Sequence, residues 1–312
     1  MSILLVTPCT QRKPGAARHP VLRASDLPCG TQSSVAEAWV ARVQLAGTCA
    51  PASALYGGRG FNEALATVAP DSGALWIVSA GLGLLDARTQ VPAYDLTVTP
   101  GGTHSVQAHI SDGRFCARQW WAMLNACLRK GWNLAALVQE HAQATVVVTL
   151  SAAYAALVAD DLAVLPGSVL ARVRIVGPAS DSVLPPPLRP CWMPYDVRFD
   201  GPDGPLPGTR ADFAQRAARH FVGMIGRGGS TASAAEHQVA VLDMLRDWRH
   251  APVPDRRRLD DAGIRAFILR RWEAAGGSSS RMLRLLRDEE RICCEQGRFA
   301  ALFRTIKQEL DR

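Results

Sequence analysis

Four short apolar runs, rich in β-branched residues, recur along the first part of the chain. They cover residues 3–7, 75–79, 145–150 and 172–176. Because each run is almost continuously apolar, it is typical of a strand that is covered on both faces, as in a parallel sheet. The sequence therefore predicts four buried strands.

Segments with helical periodicity separate these runs. Residues 34–46 and 60–68 follow the first strand, residues 114–141 follow the second, and residues 152–160 follow the third. Strands that alternate with helices form right-handed βαβ units around an open sheet. The predicted fold is therefore α/β, with an open, mostly parallel sheet flanked by helices. In such sheets, ligands bind at the carboxyl ends of the strands.

The last third of the chain has helical patterns only. A proline-rich, irregular connection over residues 184–208 leads into it. Helices are predicted over residues 210–225, 234–249, 260–275, 279–290 and 296–310. A glycine-rich linker is predicted at residues 226–230. We therefore expect an α/β domain over residues 1–228 and a C-terminal helical domain over residues 229–312.

The positive charge is concentrated towards the C-terminus. The chain has 35 Lys+Arg and 28 Asp+Glu, a net charge of +7. Residues 1–207 have a net charge of +1, and residues 208–312 have a net charge of +6. A basic region attracts phosphate backbones because its binding releases condensed counterions. The charge distribution therefore favours a nucleic-acid partner for the C-terminal domain.

An arginine stripe marks one face of the predicted helix over residues 279–290. Its members are Arg281, Arg284, Arg287 and Arg291. A helix-turn-helix presents such a face to DNA. The alternative is a solvated helix face without a partner. Together with the charge asymmetry, the stripe predicts contact with double-stranded DNA.

Composition argues against several other classes of protein. The eight cysteines include no C-x-x-C pair, which argues against a structural zinc site and a disulfide scaffold. There is no run of about 18 apolar residues to span a membrane, and no signal-peptide pattern at the N-terminus. We expect a cytoplasmic protein with no metal, no other cofactor, no membrane contact and no obligate protein partner.

Small and hydroxyl-bearing residues collect where the predicted strands end. Candidates for binding a base or sugar there are Cys9, Thr10, Ser79, Gly81 and Ser151. The cations Arg12 and Lys13 follow the first strand and are candidates for binding DNA. Each hydroxyl can instead cap a helix. Recurrence at the strand ends favours a shared pocket over four separate caps.

Two further segments carry candidate chemistry. In residues 55–62, glycines open a helix that can hold an anion, with Arg59 and Asn62 beside them. In residues 76–97, Tyr94 can stack on a planar base and Asp95 can activate water or stabilise a cation. The alternatives are core packing for the tyrosine and an Asx-turn for the aspartate.

These segments resemble a bacterial domain family related to the uracil-DNA-glycosylase-like module of archaeosine tRNA-guanine transglycosylases. The motifs are Pro8-Cys9-Thr10-x-x-Lys13, Leu55-Tyr56-x-Gly58-x-x-Phe61, Ile77-Val78-Ser79-Ala80-x-x-Gly83-Leu84-Leu85 and Pro92-x-Tyr94-Asp95-Leu96-Thr97. The resemblance covers about residues 1–225. Within the group, the chain is similar to phage-defence DNA glycosylases that excise α-glucosyl-hydroxymethylcytosine. The G-Q-D-P-Y and H-P-S-P motifs of uracil-DNA glycosylases are absent, so the catalytic residue does not carry over.

The resemblance implies N-glycosidic hydrolysis of a modified base in DNA. The base must leave the stack to enter a pocket, and a carboxylate stabilises the oxocarbenium-like sugar. On this interpretation Asp95 is the catalytic carboxylate, Asn62 or Tyr94 places water or base, and Arg210 holds phosphate. With no lysine in an evident Schiff-base position, a monofunctional enzyme is expected.

Two other functions are compatible with the same residues. One is a non-catalytic module that senses nucleotides or nucleic acid. The other is a base-exchanging transglycosylase, or an enzyme that processes free nucleosides. These alternatives differ from the glycosylase in the products they form. An assay of the products therefore distinguishes them, whereas the sequence pattern does not.

Overall fold

The fold is known from a computed structural model. It describes residues 2–16, 19–69, 74–101, 104–177, 180–227, 232–251 and 255–310. Two compact units make up the chain, Met1–Ala251 and Pro252–Arg312. This division falls after the boundary predicted at residue 228. The reason is that the helix Ala234–Leu245 buries Val241 and Leu245 in the hydrophobic core of the first unit.

The strands are numbered in chain order. They are β1 (Ser2–Pro8), β2 (Leu22–Arg23), β3 (Ala50–Pro51), β4 (Leu75–Ser79), β5 (Gly83–Asp86), β6 (Gln90–Val91), β7 (Tyr94–Asp95), β8 (Ala144–Thr149), β9 (Val173–Val176), β10 (Arg257–Arg258) and β11 (Ile292–Cys293). Strands β1, β4, β8 and β9 are the four predicted from the apolar runs. These four predictions are confirmed.

The α-helices are numbered in the same way. They are α1 (Gln32–Leu45), α2 (Ala52–Leu55), α3 (Arg59–Thr67), α4 (Ala117–Leu128), α5 (Leu134–Glu140), α6 (Ala152–Ala163), α7 (Gly167–Leu170), α8 (Phe213–Arg227), α9 (Ala234–Leu245), α10 (Asp261–Arg270), α11 (Trp272–Ala275), α12 (Ser279–Arg284) and α13 (Gln296–Leu310). In the parts of the chain that the structure describes, no helix has the length and apolar character needed to cross a membrane.

A five-stranded sheet forms the centre of the first unit. Its order is β5-β4-β1-β8-β9, with β5 antiparallel to β4 and all other pairs parallel. The strands are almost entirely buried because helices flank the sheet. Helices α3 and α8 contact each other and the strands β1, β8 and β9, whereas α4 contacts α1, α6 and β5. The predicted α/β architecture with a mostly parallel sheet is confirmed.

Several predicted helices differ in detail from those observed. The segment 114–141 is the helix pair α4 and α5. The predicted linker at 226–230 begins inside α8, and its remainder lies outside the described residues. The proline-rich connection contains the 3₁₀ turns Pro186–Cys191 and Val197–Asp200. It is therefore more ordered than its composition indicates.

The second unit has a small hydrophobic core of its own. Helices α10 to α13 surround side chains that include Phe267, Met282, Phe299 and Ile306. Helix α13 has the predicted limits. The helix predicted over 260–275 is divided into α10 and α11 at Arg271.

The arginine stripe of the second unit is not continuous. Helix α12 ends at Arg284 and the chain continues as the π-helical turn Leu285–Glu289. Arg291 follows this turn with a left-handed backbone, at a φ of 53°. Arg287 donates to the carbonyl oxygen of Cys294 at 2.8 Å. The four arginines therefore do not share one α-helical face, because the π turn changes the periodicity on which the stripe depends.

A buried arginine–histidine contact attaches α9 to the sheet. The Arg174 guanidinium in β9 donates to His237 Nδ1 at 2.8 Å, and also to the carbonyl oxygens of Ala171, Val173 and Ala232. Burial and the charge of Arg174 lower the pKa of His237. The contact therefore requires a neutral imidazole.

We expect this contact to make stability depend on pH. A histidine whose pKa is lowered by folding stabilises the protein above its unfolded pKa of about 6.5 and loses that contribution as the pH falls below it. Denaturant titrations between pH 7.5 and pH 5 should show a smaller pH dependence for His237→Asn, which keeps a neutral acceptor. Equal slopes for the two proteins would assign the acid sensitivity to other groups.

Candidate functional site

An open cavity of about 680 Å³ lies at the carboxyl ends of β1, β8 and β9. Cys9 and Thr10 line it after β1, Ser151 and Tyr154 line it after β8, and Gly177 lines it after β9. In the strand order β5-β4-β1-β8-β9, the connection after β1 leads to its neighbour β4, whereas the connection after β8 leads in the opposite direction to β9. The cavity therefore occupies the topological switch point, where open α/β sheets bind ligands.

The remaining walls come from the beginnings of α3 and α8 and from the turn Val197–Asp200. Residues 57–60 line the cavity at the start of α3, and residues 209–215 line it at the start of α8. Helix α6 also begins at the cavity, after Ser151. The first turns of three helices thus border this region, and the positive end of a helix dipole favours an anionic ligand.

The acidic groups of the cavity are already paired. Asp196 binds Arg198 at 2.7 Å, and Asp200 binds Arg216 at 2.6 Å. Desolvation acts to raise the pKa of Asp196, but hydrogen bonds from Arg198 outweigh it and hold that pKa below the ordinary value. Asp212 is paired as well, as described next. These carboxylates are therefore engaged by arginines within the protein.

A buried ion network holds the start of α8. Arg216 is 1% exposed and donates through Nε to Asp212 Oδ1 and through Nη2 to Asp200 Oδ1, both at 2.6 Å. Asp212 accepts from the backbone N–H of Thr209 at 2.7 Å and lies 3.2 Å from Arg59 Nε. The network therefore joins α8, the preceding connection and α3 into one wall of the cavity.

The cavity has a positive rim. Arg59 is engaged with Asp212 and with the carbonyl oxygen of Pro207. Arg12 and Arg210 are exposed, line the cavity and form no ion pair with the described part of the chain. Since the carboxylates are neutralised by arginines, the uncompensated charge is positive.

A buried hydroxyl cluster, called here the tyrosine cluster, consists of Tyr56, Ser79 and Tyr94. Tyr94 Oη lies 2.8 Å from Ser79 Oγ and 2.9 Å from Tyr56 Oη. Ser79 Oγ also accepts from the backbone N–H of Leu82 at 3.0 Å. Burial raises the pKa of Tyr94 well above its ordinary value, so the phenol stays neutral.

Lys13 connects this cluster with two further candidates. Its Nζ lies 4.3 Å from the centroid of the Tyr94 ring, a cation–π distance. Burial lowers the pKa of Lys13, and the electrostatic influence of Cys9 and Asp95 opposes that decrease. Cys9 also borders the cavity, where its Sγ lies 3.0 Å from Tyr154 Oη. Lys13 is therefore influenced electrostatically both by Cys9, which lines the cavity, and by the Asp95 carboxylate.

Asp95 lies in β7, which pairs with β2. Its side chain is 36% exposed, and its Oδ2 lies 3.2 Å from His104 Nδ1. It does not line the cavity. Among the described residues, no arginine or lysine forms an ion pair with it, unlike the three cavity carboxylates.

The structure brings six of the predicted site residues together in the cavity. They are Cys9, Thr10, Arg12, Arg59, Ser151 and Arg210. Ser151 is exposed there, and its side chain makes no capping hydrogen bond. Thr10 donates to the carbonyl oxygen of Gly57 at 2.8 Å, which fixes the loop after β1 against the start of α3.

Other predicted residues lie elsewhere. Ser79, Gly81 and Tyr94 are in the core, and Asn62 is exposed on α3 outside the cavity lining. The end of β4 is closed because the chain turns there into β5. The Trp39 and Trp120 indoles donate to the carbonyl oxygens of that turn at 2.6 and 2.8 Å. The shared pocket thus forms at three strand ends instead of four.

No family model, curated protein or solved structure matches this chain. Sequence reasoning did not select Gln215, Tyr195 or Asp196, which all line the cavity. The sequence offers one signal near them: Thr209-Arg210-Ala211-Asp212 matches a capping box and predicts a helix from residue 210, whereas α8 begins at Phe213.

Proposed function

We propose that the chain is a DNA glycosylase that receives a flipped, modified base in the cavity and hydrolyses its N-glycosidic bond. The observation that carries the proposal is the open cavity at the switch point of the sheet, with a positive rim. Its volume is within the range of sites that hold small ligands, about 300–1,000 Å³. A base enlarged by an attached sugar, such as α-glucosyl-hydroxymethylcytosine, requires such a space.

The rim charge supports a nucleic-acid substrate. Arg12 and Arg210 have no intramolecular carboxylate partner in the described structure, and guanidinium groups bind phosphate through paired hydrogen bonds. The apolar and aromatic lining, including Tyr154 and Phe213, suits a flat base. A base must leave the duplex to reach such a cavity.

The proposed catalytic carboxylate is Asp95. Among the described residues no arginine or lysine forms an ion pair with it, and Lys13 lies within its electrostatic reach. With the base in the cavity, its sugar has to lie on the Lys13 side of Cys9 for this role. There an ionised carboxylate stabilises the oxocarbenium-like sugar.

The second unit has the charge of a duplex-binding module. Residues 252–312 contain 14 Lys+Arg and 10 Asp+Glu, a net charge of +4. Arg281, Arg284 and Arg291 are exposed, although they do not form one helical stripe. We propose that this unit binds flanking double-stranded DNA through phosphates.

The proposal is tested by incubating the full chain with phage DNA that carries α-glucosyl-hydroxymethylcytosine and with the same DNA unmodified. We expect alkali-labile abasic sites in the modified DNA only. Abasic sites in neither DNA would contradict a glycosylase that acts on this base. Incorporation of a labelled free base would indicate transglycosylation instead.

A non-catalytic sensing module is the second candidate, and a specific observation favours it. Every carboxylate that lines the cavity is held by an arginine. Such a cavity can bind a nucleotide without activating water. Retention of modified DNA without abasic sites would support this function over hydrolysis.

A further inference from the structure

The guanidinium group of Arg129 has no partner among the described residues. Arg129 directly follows α4, and its stem packs on the turn between β4 and β5, where a Cβ at Gly83 would lie 3.5 Å from its Cγ. Its Nε is buried without a hydrogen bond, whereas its Nη nitrogens are accessible. The group forms no ion pair within the described part of the chain. Because desolvating a cation without a counter-charge costs free energy, this arginine calls for a functional explanation.

Arg129 lines a pocket of about 400 Å³ at the edge strand β5. Trp76 and Trp132 form an aromatic wall of this pocket, with ring centroids 4.8 Å apart, and both side chains are partly exposed. Leu84 of β5 and Leu128 at the end of α4 also line it. The pocket shares no lining residue with the cavity at the ends of β1, β8 and β9. It is therefore a separate candidate site.

The uncompensated charge of this pocket is positive. Lys130 lines it beside Arg129, is exposed and forms no ion pair with the described residues. Among the described residues of the lining, Asp86 is the only acid, and Arg88 already binds it at 2.6 Å. Burial lowers the pKa of Arg129, an effect that a bound anion would oppose. Two adjacent cations match a phosphate monoester, with a charge of about −1.5 to −2 at pH 7, better than a single carboxylate.

We infer that this pocket binds a nucleoside monophosphate, with its phosphate on Arg129 and Lys130 and its base against Trp132. Guanidinium groups bind phosphate through paired hydrogen bonds, and indole rings stack on bases of any sequence. The volume of the pocket is within the range of sites that hold small ligands, about 300–1,000 Å³. The inference requires no bond cleavage and no contact with the cavity, so it is independent of the proposed function.

The test is a titration of the full chain with dAMP, deoxyadenosine and inorganic phosphate, followed by tryptophan fluorescence. No tryptophan lines the cavity at the strand ends, so quenching by a stacked base reports on the pocket beside β5. We expect dAMP to quench and to bind at least about tenfold more tightly than deoxyadenosine, which lacks the charge-assisted hydrogen bonds of the phosphate. Inorganic phosphate, which has no ring, should not quench.

Matched variants assign the signal to this pocket. Arg129→Met and Lys130→Gln should each weaken dAMP binding about tenfold, whereas Arg118→Met, which changes an exposed arginine on α4, should not. Trp132→Phe should reduce the amplitude of quenching, whereas Trp272→Phe in the second unit should leave it unchanged. The melting temperature of Arg129→Met should stay equal or rise, because a desolvated charge without a partner is removed.

Three results would overturn the nucleotide site. The first is the absence of quenching by dAMP, or an affinity for dAMP that neither Arg129→Met nor Lys130→Gln changes. The second is equal binding of dAMP and deoxyadenosine, which would show that the phosphate is not recognised. The third is a lower melting temperature and weaker binding in Arg129→Met with no effect of Lys130→Gln, which would give Arg129 a structural role.

Discussion

Replacing Arg216 with methionine is expected to lower the free energy of unfolding by about 3–5 kcal/mol. The side chain is 1% exposed and binds Asp212 and Asp200 at 2.6 Å each. Its Nη1 also donates to the carbonyl oxygen of Leu206 at 2.7 Å. Methionine fills similar space but leaves the Asp212 carboxylate, 3% exposed, without its closest counter-charge. Denaturant unfolding monitored by tryptophan fluorescence measures the loss.

An exposed ion pair on the same helix provides the control. Arg219 lies 3.0 Å from Glu63 and its side chain is 42% exposed, so Arg219→Met should cost less than about 1 kcal/mol. Asp212→Asn combined with Arg216→Met should recover part of the loss, since no unpaired buried charge remains. If Arg216→Met lowers the free energy of unfolding as little as Arg219→Met does, burial does not strengthen the interactions of this network.

The network also explains how the cavity keeps its shape. Asp212 and Asp200 lie on separate stretches of the connection into α8, and Arg216 bonds to both. Gly208 makes room for this arrangement, because a Cβ there would lie 2.0 Å from Arg216 Nε. The wall opposite the strand ends is therefore fixed by ion pairs before a ligand arrives, which lowers the ordering cost of binding.

The central sheet could be predicted from the sequence because parallel strands are buried on both faces. Strands β1, β4, β8 and β9 all have continuous apolar character, and this pattern is enough to locate them in the sequence. Strand β5 was missed, because Gly83-Leu84-Leu85-Asp86 is short, begins with glycine and follows a turn that resembles a binding loop. That error led to the wrong expectation for the end of β4, which β5 and two tryptophans close.

The cavity could be predicted only in part. Residues after β1 and β8 were found because strand ends in α/β sheets meet at one edge. Asp196 was missed because it lies in the long connection before α8, and Gln215 because it lies in the first turn of the helix that follows; no periodic pattern reports where that connection returns to the sheet. The π turn after Arg284 was also missed, because the helical sequence pattern continues beyond Arg284 although the α-helix ends there.

Changing Asp95 to asparagine is expected to reduce base excision by about 10²–10⁴-fold, the usual contribution of a positioned catalytic carboxyl group. The substitution keeps the shape and the partly exposed position in β7, but removes the negative charge that would stabilise an oxocarbenium-like sugar. Nucleotide binding in the cavity should change little, because Asp95 does not line it. Abasic sites formed per minute in modified phage DNA provide the measurement.

Substitutions of two further aspartates show whether the loss of base excision is specific to Asp95. Asp160→Asn alters an exposed pair with Arg118 and should leave excision unchanged, which controls for a general loss of charge. Asp196→Asn tests the most exposed carboxylate of the cavity, which Arg198 already neutralises. If Asp196→Asn abolishes excision while Asp95→Asn does not, chemistry occurs inside the cavity. An ion-paired carboxylate would then have to separate from its arginine when the base enters.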